Sequence, residues 1–521
     1  MLAIGETRHP DIGSLAKGPI GRTTGAMASR PAQVAQAVGL GVTRWNRARR
    51  LSGSHRRRSD SDTIAEVKTR LIRAVAVVLA VLGIGVTVSA TTYEVSPDDD
   101  LFGILGSLAA GDEVVVAAGS YSSQQTGGSW YRAVTWSGTA SMPIVIRAAD
   151  GVRPVLEGDP AGSQNLLNID GSHFVLRGFE LVGGSHALRL GNVDHSVLED
   201  LVIHDIHDVA ISCNRPGHLC SALTVRGCEI FDTGLSGTGE GMYIGCNDAG
   251  CTVSESLFEY NYIHDLGGSQ GDGIEIKTGS WGNIVRGNVI VNARYPAITM
   301  YGFADGLGPR NLVEGNFVWG TIDNGIQVVG QIVVRNNIVV DAGVYGIHSK
   351  PSQGFEPHDL EIVHNTVYNA GAACMKTNDW GSLPGQVLAN NAFYCPGGTA
   401  VNMVSGPTGA TLVGNITLGS VIAPGGMSPG NGAIADLGDP DNLVFYPPDG
   451  SALVGAASVQ HKAADDFNVT PRSDPAPDAG AYERTGPSNP GWPPAAGFKP
   501  RVVPLFADGF ETGDTSAWTA G

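Results

Sequence analysis

Residues 271–280, GDGIEIKTGS, alternate as a strand does. Ile274 and Ile276 share one face, and Glu275 and Lys277 share the other. A carboxylate and an amine on one outward face can hold a cation and move a proton, or can simply be a solvated surface. Segments that open on a small residue align with this one as GMYIG, GIEIK, AITMY, GIQVV, GIHSK, CMKTN and AVNMV, between residues 241 and 404. In each, the second and fourth residues are expected to point inward and the third and fifth outward. The outward set then holds Tyr243, Glu275, Lys277, Thr299, Tyr301, Gln327, His348, Lys350, Lys376 and Asn402. Only five lysines lie beyond residue 90, and three of them fall on this face. An acidic chain that gathers scarce lysines in one place builds a local anion site.

The chemistry such a face suits is proton abstraction beside a carboxylate with loss of a leaving oxygen. The carboxylate must be neutralised, a base must take the α-proton, and an acid must assist the leaving oxygen. Lys277 and Tyr301 are the candidate proton-transfer residues. Asp272, Glu275 and Glu240 are candidate ligands for Ca2+, which prefers carboxylate and carbonyl oxygens. His348, Lys350, Lys376, Gln327 and Tyr243 are candidate substrate contacts.

A repeat positions these residues. One column reads Cys228, Asn261, Asn288, Asn316, Asn337, Asn365, Asn391 and Asn415, at steps of 21 to 33 residues. Each is followed two residues on by a mostly apolar side chain. The spacing is too short for a crossover helix at every step, and the intervening segments are rich in Gly, Asn and Asp. Stacked amides of this kind form a ladder between parallel coils. The expected fold is all-β: a right-handed parallel β-helix, or solenoid, with an Asn ladder. The ladder asparagines read as structural.

The 521 residues carry 33 Lys+Arg against 50 Asp+Glu, a net charge of −17. Of the basic residues, 14 lie before residue 74, so the remainder of the chain is more acidic still. Such a chain is not expected to bind nucleic acid or anionic membrane non-specifically. Residues 1–67 read as a disordered basic extension, with Val67 an alternative start, and 68–90 as a signal peptide cleaved after Ala90. The apolar run is short for a membrane span. The expected product is a secreted or cell-surface monomer with no stable span. Seven cysteines lie in the exported part, where disulfides are allowed. Cys213 with Cys220, and Cys246 with Cys251, look like loop staples; Cys228, Cys374 and Cys395 remain, so at least one thiol lacks a partner.

The opening TYEVSPDDDLFGILGSLAAGDEVVVAAGSYSS, then WSGTASMPIVIRAADGVRPVLEGDP and FVLRGFEL, resembles the first coils of secreted β-helix proteins of the pectate-lyase-like superfamily. Polysaccharide lyase family 6, the alginate lyases and chondroitinase B, has the closest layout. The resemblance covers residues 93–420 and implies 421–487 as a closing segment, with DPAPDAGAYER its signature. Residues 488–521 read as a Pro-rich linker and exported-protein tail. The family's GEAEIISNKSxGN-like segment uses two glutamates for calcium and a lysine base, and an arginine in the next coil assists. Here GDGIEIKTGSWGN puts Asp272 at the first carboxylate, Ile274 at the second, Gly279 at the lysine and Tyr301 near the arginine. The family's set is therefore incomplete, and Glu275 with Lys277 would supply a rearranged version.

The expected function is a lyase on a uronate-containing, acidic polysaccharide. The alternatives are a non-catalytic glycan-binding surface solenoid and a C5-epimerase. Glu356-Pro357-His358-Asp359 resembles an epimerase motif but reads as a loop entering a ladder strand. IHDIHD (203–208) and IHD (263–265) read as turn formers. Trp281 and Trp380 read as loop residues beside the face, able to stack on sugars or to cover core edges.

Overall fold

A computed structural model describes residues 90–380, 385–404, 409–423, 427 and 430–501. The expected extension and nearly all of the expected signal lie outside these residues. The first strand, Thr92–Val95, starts a stack of parallel coils that continues to Ile416–Ile422. Each middle coil has three short strands. In one, Leu257–Glu259 leads through a tight turn to Tyr262–His264, and a longer loop leads to Ile274–Ile276. Strands of the first kind form a 13-stranded parallel sheet, and the other two kinds merge into a 24-stranded one. The right-handed parallel β-helix read from the repeat is the observed fold.

Inward residues fill one continuous core. Met242, Ile244, Ile274, Ile276, Ile298, Met300, Ile326 and Val328 are all fully buried. The first coil is covered by the helix Leu101–Leu105, which buries Leu101, Phe102 and Leu105. Asp100 caps it by accepting from the Gly103 N–H at 3.0 Å.

The ladder is present as a chain of hydrogen bonds. Asn288 Nδ2 donates to Asn316 Oδ1 at 3.0 Å, and Asn316 Nδ2 to Asn337 Oδ1 at 2.9 Å. Each Oδ1 also accepts the backbone N–H of the preceding ladder residue, at 2.9 and 3.0 Å. The residue before every rung has positive φ, whether Gly227, Tyr260, Gly287, Gly315, Asn336, His364, Asn390 or Gly414. That left-handed turn swings the chain so that the next amide points into the stack, and it favours Gly and Asn there. At Gly287 a Cβ would also lie 2.7 Å from the Tyr260 ring of the coil before.

Residues 430–501 pack against one flank. Arg472, almost fully buried, donates to Glu483 Oε2 (2.8 Å), the Gly480 carbonyl (2.9 Å) and Asn336 Oδ1 (3.3 Å), tying the segment to a coil. The Pro-rich stretch is laid down as well, with Lys499 Nζ donating to the carbonyls of Gly315 and Phe467 at 2.8 and 2.7 Å.

The cysteine reading needs one correction. Cys246–Cys251 is a disulfide, but Cys213 and Cys220 are free and buried; the second bridge is Cys374–Cys395. Cys213 and Cys220 sit within strands whose side chains join the core, and Cys220 Sγ donates to the Gly191 carbonyl at 3.2 Å. Cys228, at the head of the ladder, is free as well.

Asn316→Ala would leave the Asn288 amide donors and the Val285 carbonyl without their partner inside the core. Equilibrium denaturation should show a loss of about 2 kcal/mol or more. A loss no larger than that of an exposed Asn would remove the ladder from the stabilising interactions.

Candidate active site

The outward residues stand in a column fixed by backbone pairing. Ser212, Tyr243, Glu275, Thr299, Gln327, His348, Lys376 and Asn402 are partners in successive coils. Lys277, Tyr301, Val329 and Lys350 keep the register one step beyond the strand ends, each N–H bonding to the coil before. This face is not a solvated one. Glu240, Asp272, Glu275 and Lys277 are each at most 3 % exposed. Part of the cover is the loop 351–358, which folds back over earlier coils. Gln353 accepts from Thr278 Oγ1 at 2.5 Å and donates to Asn247 Oδ1 at 2.9 Å. Phe355 lies on Gly302, where a Cβ would come within 2.8 Å of it.

Beneath this cover, Glu240, Asp272 and Glu275 each bring a carboxylate oxygen within 4.8 Å of the others. Lys277 Nζ bonds to Glu275 Oε1, and the Tyr301 hydroxyl donates to the same oxygen at 3.2 Å. The ammonium lies 4.3 Å from the Tyr243 ring centroid and 5.3 Å from that of Tyr301, in cation–π range of both. Thr299 Oγ1 donates to Asp272 Oδ1 at 2.7 Å. Glu240 Oε1 and Glu275 Oε2 are buried with no hydrogen-bond partner among the described residues. Burial is the main force raising all three carboxyls above their ordinary range. For Asp272 the Glu275 charge adds to it; for Glu275 the Lys277 ammonium opposes it; for Glu240 the Thr238 hydroxyl opposes it. Burial, then Glu275, raises the Tyr301 phenol. Burial, again with Glu275 next, raises the Tyr243 phenol.

The remaining column residues form a separate, basic and amide-rich end. His348 Nε2 meets Asn378 Oδ1 at 3.2 Å, while its Nδ1 is buried with no partner among the described residues. Burial lowers the His348 imidazole to about 4 and also lowers Lys376. Gln327 Oε1 accepts from Asn324 Nδ2 at 3.2 Å, and Lys350 is half-buried. Trp380 offers no stacking surface: it is fully buried, with Nε1 donating to Ser349 Oγ at 2.9 Å. Trp281 lays its ring over Gly308. His358 bonds Asp305 Oδ1 at 3.0 Å and the Glu356 carbonyl at 2.8 Å, in the loop that enters strand Leu360–Val363.

A polar chain behind the trio was missed. Ser212 Oγ meets His186 Nδ1 at 2.9 Å, and His186 Nε2 lies 3.6 Å from Asp208 Oδ2. Asp208 Oδ1 accepts from the Thr238 N–H and hydroxyl at 2.7 and 2.9 Å, and that hydroxyl also contacts Glu240 Oε2. The residue types suggest a nucleophilic triad, but Ser212 is fully buried and 3.6 Å is too long for the orienting hydrogen bond. The chain instead holds Glu240 in place. Asp205 and Asp265 are turn residues with positive φ, as expected, but Asp208 of the same IHDIHD run belongs to this network.

A carboxyl raised on folding binds more protons in the folded than in the unfolded state. It therefore favours folding below its ordinary pKa and opposes it as pH climbs through the raised value. The ordinary values are 3.8 for Asp272 and 4.5 for Glu275. In chelator, thermal stability should fall as pH rises above this range, and Asp272→Asn should flatten part of the fall. Parallel melting curves for the two proteins would exclude a titrating buried trio.

Residues 254–416 match the family model for the right-handed β-helix region. Several solved structures are similar to the chain. An alginate lyase from Paenibacillus sp. str. FPU-7 is 24 % identical, with 64 % of this chain and 99 % of that one covered at a TM-score of 0.42. Pectate lyase Pel9A is 16 % identical over 77 % and 98 %, at 0.42. A mannuronic-acid-specific family 6 polysaccharide lyase from human gut microbiota is 17 % identical over 63 % and 86 %, at 0.42. Comparison with curated proteins gives no match. By its coil, its ladder and the family model matched over residues 254–416, the chain is a right-handed parallel β-helix protein.

Proposed function

We propose that the protein is an extracellular polysaccharide lyase that cleaves a uronate-containing polymer by β-elimination. The observation that carries this reading is the buried carboxylate trio with two unpartnered oxygens, set against Lys277 and Tyr301. Buried polar atoms are normally paired, so Glu240 Oε1 and Glu275 Oε2 call for a partner. Three carboxylates against one ammonium leave two charges uncompensated when ionised, and the donors are all hard oxygens. Both features fit a divalent ion such as Ca2+. Glu240, Asp272 and Glu275 would hold it, and when bound it would neutralise the substrate carboxylate and make the α-proton acidic.

The chain's own residues supply the proton transfers. Lys277 Nζ first gives up its ammonium proton to solvent and then, as the free amine, takes the C5 proton of the uronate. The electron pair forms the C4–C5 double bond, and the C4–O bond breaks. Tyr301, whose raised phenol keeps its proton, donates to the departing oxygen. Asn402, Lys376, Lys350, His348 and Gln327 contact neighbouring sugars further along the column. The similar solved structures include an alginate lyase and a pectate lyase.

One observation favours a different reading. Lys277 is nearly inaccessible beneath Tyr243, Tyr301 and the 351–358 loop, as in a glycan-binding solenoid with no turnover. Incubation with alginate, pectate, chondroitin and glucuronan, with and without calcium, separates the two. Ultraviolet absorbance of unsaturated uronate should rise on one polymer, fall with chelator, and drop about 100-fold or more in Lys277→Ala and in Tyr301→Phe. Binding without any absorbance would reject the lyase and leave the solenoid. Full activity in both variants would reject this site.

A further inference from the structure

The outward column continues upstream of the trio. Ser212 pairs with Arg189, and Arg189 with Asn168. Arg189 is flanked by the fully buried Leu188 and Leu190, so its side chain leaves the core on the same face as Glu275. Its Nε donates to Asn214 Oδ1 at 3.1 Å, and it forms no ion pair among the described residues. The neighbouring Arg215 differs, with Nη1 bonded to Asp170 Oδ2 at 2.7 Å. Burial, then the like charge of Arg215, disfavours the charged form of Arg189; Asp208 is the carboxylate that opposes them. Asp208 is already engaged by Thr238. His186, on the other side, is pushed by burial to about 4 and so adds no charge at neutral pH. Arg189 is thus a half-buried guanidinium whose fork is uncommitted, beside a second arginine.

Its place on the column gives this meaning. Arg189 stands three coils before Glu275, about 14 Å at the usual strand spacing. Lys376 stands four coils after it, about 19 Å in the other direction. We propose that Arg189 is an anion subsite for a carboxylate of the polymer, so that the chain lies along the coil axis, is held on both sides of the trio, and is cut internally. This rests on the reading of the face as a uronate site. The guanidinium is suited to it because its planar fork matches a carboxylate.

The test compares binding of tetrameric and octameric oligouronates from alginate, pectate and glucuronan by calorimetry. The octamer should bind more tightly. The octamer-to-tetramer affinity ratio should fall about tenfold in Arg189→Met and recover in part in Arg189→Lys, since one charge-assisted bond is worth about that much. Melting curves check that the variants fold. A second measurement needs no variant: octamer affinity should fall more steeply with salt than tetramer affinity. Where turnover occurs, early products should be mixed oligomers. An unchanged ratio in Arg189→Met, equal salt slopes, or release of only mono- or disaccharide from the start would overturn the proposal. A length-dependent ratio that needs Arg189, without any double-bond absorbance, would keep the subsite and reject the lyase.

Discussion

Everything on the candidate face depends on one constraint, the in-register stacking of parallel coils. Backbone pairing fixes the distance between equivalent residues, and the amide ladder fixes which residues are equivalent. A slip of one residue would turn Glu275 and Lys277 into the core and Ile274 and Ile276 out of it. The ladder opposes that slip because each Asn must meet the Asn above and below it, as Asn288, Asn316 and Asn337 do. Loops between strands can then vary in length without disturbing the column. That is how the 351–358 loop can be long enough to return to Asn247 while its flanking strands stay paired.

Stability held in the ladder and core is what allows an unfavourable cluster to exist. Three carboxyl groups packed together out of water repel one another and lose hydration, and one ammonium offsets only part of this. A fold relying on that cluster for cohesion would not keep it. Here the coils on either side are joined by backbone bonds and apolar packing independent of it. Local strain of this kind, supported by its surroundings, is characteristic of a site that binds or reacts.

The coil and the column were legible in the sequence because both are short-range patterns repeated many times. Period-two alternation in GIEIK and its relatives gave inward and outward faces, and the Asn at each repeat gave the register. The cover was not legible. It depends on Gln353 meeting Thr278 and Asn247, contacts 75 and 106 residues apart in sequence that leave no local trace. The same holds for Asp208, which looks like a turn residue until Thr238 is brought against it. The staple reading of Cys213 and Cys220 failed for a related reason. Their type suits a loop bridge, but their positions face into the core, and position decides. Trp380 took the second of its two readings, a turn residue that covers the core. Arg189 lay outside the aligned segments because its strand, Leu188–Asp194, is irregular against its neighbour between Leu190 and Val193.

Charge along the column also bears on how such a face would meet its ligand. The chain's net charge of −17 repels a polyanion at long range. Screening confines that repulsion to roughly 8–10 Å at physiological salt. Within that distance the arrangement matters more than the total: Arg189 at one end, Lys350 and Lys376 at the other, and the carboxylate trio between them. A polyuronate aligned along the axis meets a cation at each end and repulsion at the centre. The central repulsion disappears only if a divalent ion or protons fill the trio. The flanks would therefore supply the binding and the centre would supply the selectivity for a loaded site. In the proposed lyase, such a division would let binding energy from the flanking contacts act at the central sugar, as energy from remote contacts does in catalysis.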